Sequence, residues 1–200
     1  MGGHLTAQRV GRRRAAATIG AVRVIAGSHR GRRLRAVPPP GTRPTSDRVR
    51  EAIFDVLGSL VDLEGMAVVD LFAGSGALGI EALSRGAGSV VLVERAPGAL
   101  RCIEENLDAL GLGDRARVVG DDVLRFLGRP RHFDLALCDP PYDFAAWDRL
   151  LGALDATVAV LESSRDLEIP EAWESIRSKR YGGTLVTVVR SLGAHEKGTR

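Results

Sequence analysis

Between residues 67 and 163 short apolar runs alternate with helical patterns. No other feature restricts the fold of this 200-residue chain so strongly. "AVVDLF" (67–72), "SVVLVE" (89–94), "ARVVG" (116–120), "FDLALC" (133–138) and "VAVLES" (158–163) have the length and β-branched content of buried strands. "GALGIEALSRG" (76–86), "PGALRCIEENLDALG" (97–111), "DVLRFLG" (122–128) and "AAWDRLLGALDA" (145–156) lie between them and read as helices. Strands that are apolar throughout need cover on both faces. They therefore imply an α/β class, a Rossmann-like parallel sheet with helices on each side. Right-handed crossovers bring the strand C-termini to one edge, and ligands of such sheets bind outside it. Chemistry is expected from the residues that leave the strand ends.

The flanks complete the organisation. "TSDRVREAIFDVLGSL" (45–60) reads as a helix, capped by Thr45 or Ser46, with Asp47 in its first turn. "WESIRSKRYGGTLVTVVR" (173–190) reads as a final hairpin turning at Gly182–Gly183. Residues 22–27 and 33–37 read as two short strands around "SHRGR", a small basic β-hairpin, and "PPPGTRP" (38–44) as a linker. Residues 1–20 are rich in Arg, Ala and Gly without period and read as a flexible arm. The expected division is an arm at 1–20, a hairpin and linker at 21–44, and a Rossmann-like domain at 45–200. Cys102 and Cys138 sit far apart among apolar neighbours and read as buried free thiols. Neither they nor the four scattered histidines have metal-ligand spacing, so no metal is expected.

Charge is unevenly spread. Residues 1–50 hold twelve Arg, no Lys and one acid, Asp47, a balance of +11; the remainder carries −8. Such a block points to a polyanion, most simply nucleic acid, with Arg30, Arg32, Arg33 and Arg35 on or beside the hairpin as the RNA-binding candidates. No apolar run approaches the ~20 residues that span a bilayer, and the N-terminus lacks a signal-peptide core. The reading is a soluble cytoplasmic monomer without a membrane partner.

"DLFAGSGALG" (70–79) places Gly74, Gly76 and Gly79 in a G-x-G-x-x-G pattern between strand and helix. Glycines there let the backbone bend and approach a ligand. Glu94 ends the next strand, twenty residues after Gly74, where an acid can bind ribose hydroxyls. A nicotinamide dinucleotide enzyme fits this much. Two acids favour S-adenosylmethionine instead. Asp70 precedes the glycines, where it could face a cationic amino group and would repel a pyrophosphate. "GDD" (120–122) ends the third strand with an acid that could accept from an adenine amine or simply cap the following helix.

"LALCDPPYDF" (135–144) delivers Asp139, Pro140, Pro141 and Tyr142 to the end of the fourth strand, because proline has no N–H for the ladder. An aromatic exocyclic amine is a poor nucleophile, its lone pair being delocalised into the ring. Two acceptors holding the NH₂ hydrogens would turn that lone pair toward a departing S–CH₃ bond. Asp139 supplies a carboxylate, Pro140 a carbonyl held by a stiff turn, and Tyr142 a face for the base. In isolation the stretch is a capped turn; at the same edge as a nucleotide loop it reads as catalytic.

"DLFAGSGALG", "DPPY", "GTRPTSDRVREAIFDVL" and "RVIAGSHRGRRL" together resemble the RsmD family of 16S ribosomal RNA guanine-N2 methyltransferases, from about Val22 to Arg190. The resemblance implies a class I S-adenosylmethionine-dependent methyltransferase fold, of the guanine-966 N2 type, acting on 16S rRNA or the small ribosomal subunit during its assembly. It implies that Asp70, Phe72, Ala73, Gly74, Ser75 and Gly76 line the methionine and ribose of the cofactor and that Glu94 binds the ribose. Asp122 and the Val123 backbone would meet the adenine, and Arg43 and Thr45 would lie near the methionyl end. Asp139, Pro140 and Tyr142 would hold the base. The rivals are a DNA adenine-N6 methyltransferase, which usually needs a target-reading insertion, and a non-catalytic nucleic-acid-binding protein that kept the fold. A glutamine-modifying enzyme would leave the basic N-terminus unexplained.

Overall fold

The computed structural model describes residues 22–36 and 47–193. The arm at 1–20, the linker, Arg43 and Thr45 lie outside the described residues. Helix α1 (Asp47–Gly58) precedes strand β1 (Ala67–Leu71), helix α2 (Ala77–Ser84), β2 (Ser89–Glu94), α3 (Pro97–Leu110), β3 (Ala116–Gly120), α4 (Val123–Leu127), β4 (Phe133–Cys138), α5 (Trp147–Ala153), β5 (Ala156–Ser163), β6 (Trp173–Tyr181) and β7 (Thr184–Ser191). The strands form one sheet in the order β3-β2-β1-β4-β5-β7-β6. β1 to β5 pair in parallel. β7 runs antiparallel to β5, and β6 antiparallel to β7.

Both faces are covered, as strands such as β1 and β4 require. One apolar cluster gathers Ile53, Phe54 and Leu57 of α1 with Ile80 and Leu83 of α2 and Ile103 and Leu107 of α3. The opposite cluster holds Phe126 of α4 and Trp147, Leu150 and Leu151 of α5. Each large side chain removed from water there contributes about 1.5–3 kcal/mol. α5 is shorter than the expected 145–156. Leu154 is already extended, Phe133 donates to the Asp155 carbonyl, and pairing of Phe133 with Ala156 starts β5 two residues early.

The expected N-terminal hairpin is present but short: Arg23 bridges Arg33 antiparallel, and Val24 N–H donates to the Arg32 carbonyl, Gly31 N–H to the Val24 carbonyl and Leu34 N–H to the Val22 carbonyl. Much of the rest of its backbone bonds to the body. Ile25 and Ala26 N–H donate to the Glu81 carboxylate of α2 at 2.7 and 2.9 Å. Arg35 N–H donates to Asn106 Oδ1 of α3 at 2.7 Å, and the Asn106 amide returns a bond to the Arg35 carbonyl. Val22, Val24 and Leu34 are buried in the α1–α3 cluster. Gly27, at φ +79°, lies so close to α2 that a Cβ would stand 1.8 Å from the Ser84 carbonyl oxygen. Residues 22–36 are thus built into the core of the sheet domain.

Candidate active site at the carboxyl edge of the sheet

β1 leaves the sheet after Leu71 into a loop bent by Phe72 at φ +65° and Gly74 at φ +57°. The left-handed region is unusual for a phenylalanine. The Phe72 ring meets Phe144 edge-on at 5.1 Å, and Phe144 meets Trp147 at 5.4 Å. That aromatic row joins the glycine loop to the segment after Asp139–Tyr142. Register fixes the rest: Leu71 pairs with Cys138 and Cys138 with Leu161, so Asp139 leaves β4 between the ends of β1 and β5, level with Glu162.

A groove of about 1480 Å³ runs along this edge. Asp70, Phe72, Ala73, Gly74, Ser75, Glu94, Asp122, Val123, Asp139, Pro140 and Tyr142 all line it. Gly76 stands behind it. A Cβ there would meet Leu92 at 3.0 Å, Ile103 at 3.4 Å and Ile80 at 3.5 Å, and φ is +78°. Gly76 serves the turn into α2 and its packing on the sheet rather than an open approach to a ligand. Gly79, the last of the pattern, donates its N–H to Asp70 Oδ2 at 2.8 Å.

Each acid has a defined setting. Glu94 accepts from Gly74 N–H through one oxygen and from Arg95 and Ala96 N–H through the other, which fastens the glycine loop to the end of β2. The singly used oxygen has room for another donor such as a hydroxyl. Asp122 caps α4, accepting from Leu124 and Arg125 N–H, with Arg95 3.8 Å from its other oxygen. Of the two roles open for Asp122, the cap is therefore formed. Asp70 is buried, and Oδ1 has no hydrogen-bond partner among the described residues. Burial pushes its carboxyl up to about 7, and Asp139 and Glu94 add to the rise against the Gly79 bond. Tyr142 is 58% exposed, whereas Pro140 is buried. Cys138, beneath the turn, is a buried free thiol raised well above its ordinary value by burial and by the neighbouring Asp70 and Asp139; Cys102 is likewise free and buried.

Two groove residues escaped the sequence reading. Glu162 lies at the end of β5, almost fully buried. Burial pushes its carboxyl well above the usual range, Asp139 and Asp70 reinforce this, and Arg50 opposes it. Arg50 of α1 is 1% exposed; it donates to the Arg23 carbonyl and to Asp47 at 2.9 Å. Glu162 Oε1 and Arg50 Nε, like Asp70 Oδ1, lack a partner among the described residues. Three buried polar atoms left unpaired along one groove are costly unless a ligand completes them. The signal for Arg50 was a charge inside the apolar stripe of Ile53, Phe54 and Leu57; for Glu162 it was an acid closing an all-apolar strand.

The candidate RNA-binding arginines lie elsewhere. Arg30, Arg32, Arg33 and Arg35 are exposed, but none lines the groove. Arg35 pairs with Glu105 at 2.7 Å, and Arg32 donates to the Ala109 carbonyl at 2.8 Å.

This strand order, with helices on both faces and the acid-lined groove at the carboxyl edge, defines a class I S-adenosylmethionine-dependent methyltransferase fold. Solved structures agree. A hypothetical protein from Thermus thermophilus superposes with TM-score 0.73 at 36% identity, covering 85% of this chain and 99% of that one. TrmN from the same organism shares the fold at TM-score 0.60 and 21% identity, over 72% of this chain and 48% of that one. The family model described as "Conserved hypothetical protein 95" matches residues 22–190, and the chain belongs to that family, the RsmD family. "Ribosomal RNA small subunit methyltransferase D" of Escherichia coli is 40% identical over 149 residues, 72% of this chain and 69% of that protein. Its Haemophilus influenzae namesake is 35% identical over 176 residues, 82% and 90% of the two chains.

Proposed function

We propose that this protein transfers a methyl group from S-adenosylmethionine to the exocyclic N2 amine of one guanine in 16S ribosomal RNA, during small-subunit assembly in the cytoplasm. The observation that carries the reading is that Asp139–Tyr142 and the Asp70–Glu94 loop open into one groove at one sheet edge. The names of the family relatives supply the RNA.

The residues present fit the cofactor. Asp70 Oδ1 and Glu162 Oε1 offer buried acceptors to an ammonium group, Arg50 Nε offers a donor to a carboxylate, and Glu94 retains acceptor capacity for a ribose. S-adenosylmethionine supplies an electrophilic methyl on a sulfonium. Asp139 and the Pro140 carbonyl accept hydrogen bonds from the two amine hydrogens, so the nitrogen becomes pyramidal and its lone pair leaves conjugation with the ring. The buried proline keeps the carbonyl in place, and fixed acceptors need no rearrangement during reaction. Tyr142 presents its exposed ring for stacking, worth about 1–3 kcal/mol per base. Methyl transfer to this nitrogen, which would leave the donor's sulfonium as a neutral thioether, would make the nitrogen cationic. Asp139 then receives its extra proton and passes it to water.

Nuclease digestion and mass spectrometry of RNA from unmethylated small subunits, incubated with the pure protein and the methyl donor, test the reading. A single N2-methylguanosine in 16S RNA is expected. N6-methyladenosine, or transfer to DNA in preference to ribosomal particles, overturns the substrate. Isothermal titration should show one S-adenosylmethionine site per chain and weaker or absent NAD binding.

A further inference from the structure

We propose that the turn end of the β6–β7 hairpin is a phosphate subsite for the RNA strand flanking the target base, with Lys179 and Arg180 as its cations and Arg165 beside them. The inference rests on the RNA methyltransferase reading and names the surface that holds the substrate.

Topology brings this turn to the catalytic edge. β7 is antiparallel to β5, so Leu185 stands opposite Ser163, and Tyr181 and Thr184 close the turn beside the exit of Glu162. Arg165, Lys179 and Arg180 line the same groove as Asp139 and Tyr142. All three are exposed, and among the described residues none forms an ion pair. Residues 175–193 contain Arg177, Lys179, Arg180 and Arg190 and no acid at all. Arg180 Nη1 donates to the Ser164 carbonyl at 3.2 Å, which ties the turn to the loop leaving β5. Lys179 Nζ stands 5.2 Å from the centre of the Tyr181 ring. A Cβ built on Gly182 or Gly183 meets nothing within 4 Å, so a strand can approach this backbone closely.

Electrostatics gives the arrangement its purpose. The floor of the groove carries the carboxyls of Asp70, Asp139 and Glu162, which repel a phosphate when ionised and offer it no positive charge when protonated. A nucleotide inserted there needs cations at the rim where its phosphates remain. Arg30, Arg32, Arg33 and Arg35 cannot supply them at this position, because they lie off the groove and two are engaged with α3.

The test uses the full chain and protein-free, unmethylated 16S RNA. Binding is measured between 50 and 200 mM KCl for the unaltered protein, Lys179→Gln/Arg180→Gln, Lys179→Arg/Arg180→Lys and the far-edge control Arg117→Gln. Each lost phosphate contact lowers the slope of log K against log salt by about 0.7–0.9. The Gln pair is therefore expected to flatten the slope by about 1.4–1.8. It should weaken RNA binding about tenfold at the lowest salt while leaving melting temperature and S-adenosylmethionine affinity unchanged. The charge-conserving pair and Arg117→Gln should retain the slope. An unaltered slope in the Gln pair overturns the inference, as does parallel loss of donor binding, which would make the turn part of the donor site. If the unaltered chain methylates no 16S RNA, the enzymatic reading fails first and the subsite with it.

Discussion

The molecule has two basic hairpin-like regions, and they are built on opposite principles. Residues 22–36 have only a short ladder of their own, three cross-strand bonds around the Arg23–Arg33 bridge; the segment is also held by Glu81, Ser84 and Asn106 and by three apolar side chains in the core. β6 and β7 pair from Trp173–Ser191 to Tyr181–Thr184 with one irregularity between Ser175 and Arg177, and a Cβ on either glycine of their Gly182–Gly183 turn would touch nothing. One region has its backbone committed to the fold and part of its charge neutralised by α3. The other holds its cations beside the acidic floor of the groove without an ion pair among the described residues. A tally of arginines along the sequence favours the first, whereas position relative to the strand ends favours the second.

Substituting one glycine in each region breaks the comparison most sharply. Gly27→Ala forces a Cβ against the Ser84 carbonyl at a positive φ and should cost on the order of 3 kcal/mol in denaturant unfolding. Gly183→Ala should change stability by less than about 0.5 kcal/mol. Equal losses would show that the two regions are equally built in. Deleting residues 1–37 would likewise remove part of the core, so charge substitutions are the proper probe of RNA binding by the N-terminal arginines.

Asp139→Ala comes next. Removing one fixed polar group from the reacting amine should lower methyl transfer by ~10²-fold, with donor affinity changed far less. Near-normal turnover would reduce Asp139 to a turn cap.

A pH series gives a smaller effect. The Asp70 carboxyl is raised to about 7, so the folded protein without ligand binds its proton more tightly than the unfolded chain. That contribution to stability is present at low pH and is lost as pH rises toward about 7. Binding of a cationic donor favours the carboxylate. Titration calorimetry should show donor affinity rising by up to about tenfold from about pH 6 to about pH 8, and Asp70→Asn should remove the dependence. The smallest change is Glu105→Gln. The Arg35–Glu105 pair is exposed, and its loss should cost less than about 1 kcal/mol. It should strengthen RNA binding slightly if Arg35 reaches a phosphate once released.

The sheet and the Asp139–Tyr142 turn were legible because local chemistry wrote them. Buried parallel strands cannot alternate, two prolines must end a ladder, and Asp70 and Asp139 sit where those strands stop. Arg50 and Glu162 were not legible. A buried charge is tolerable only through partners from other elements, here the Arg23 carbonyl, Asp47 and the acids across the groove. The N-terminal hairpin was legible as a hairpin but not in its attachment, since the acceptors that take its outer N–H groups lie 55 to 71 residues away. Gly76 fitted the motif, yet its Cβ direction, toward Leu92 and Ile103, is a fact of packing.

The row of rings Phe72, Phe144 and Trp147 also provides an optical handle. The chain has two tryptophans. Trp147 lines the groove at the end of that row, whereas Trp173 is buried with its indole N–H on the Leu151 carbonyl and does not line it. Indole emission follows the polarity and mobility of its surroundings. Light from Trp147 should therefore change as the space beside the glycine loop and the Asp139–Tyr142 turn is filled, while Trp173 gives a constant background. Stopped-flow mixing with donor and with RNA, in either order, can then time the two arrivals without an attached dye.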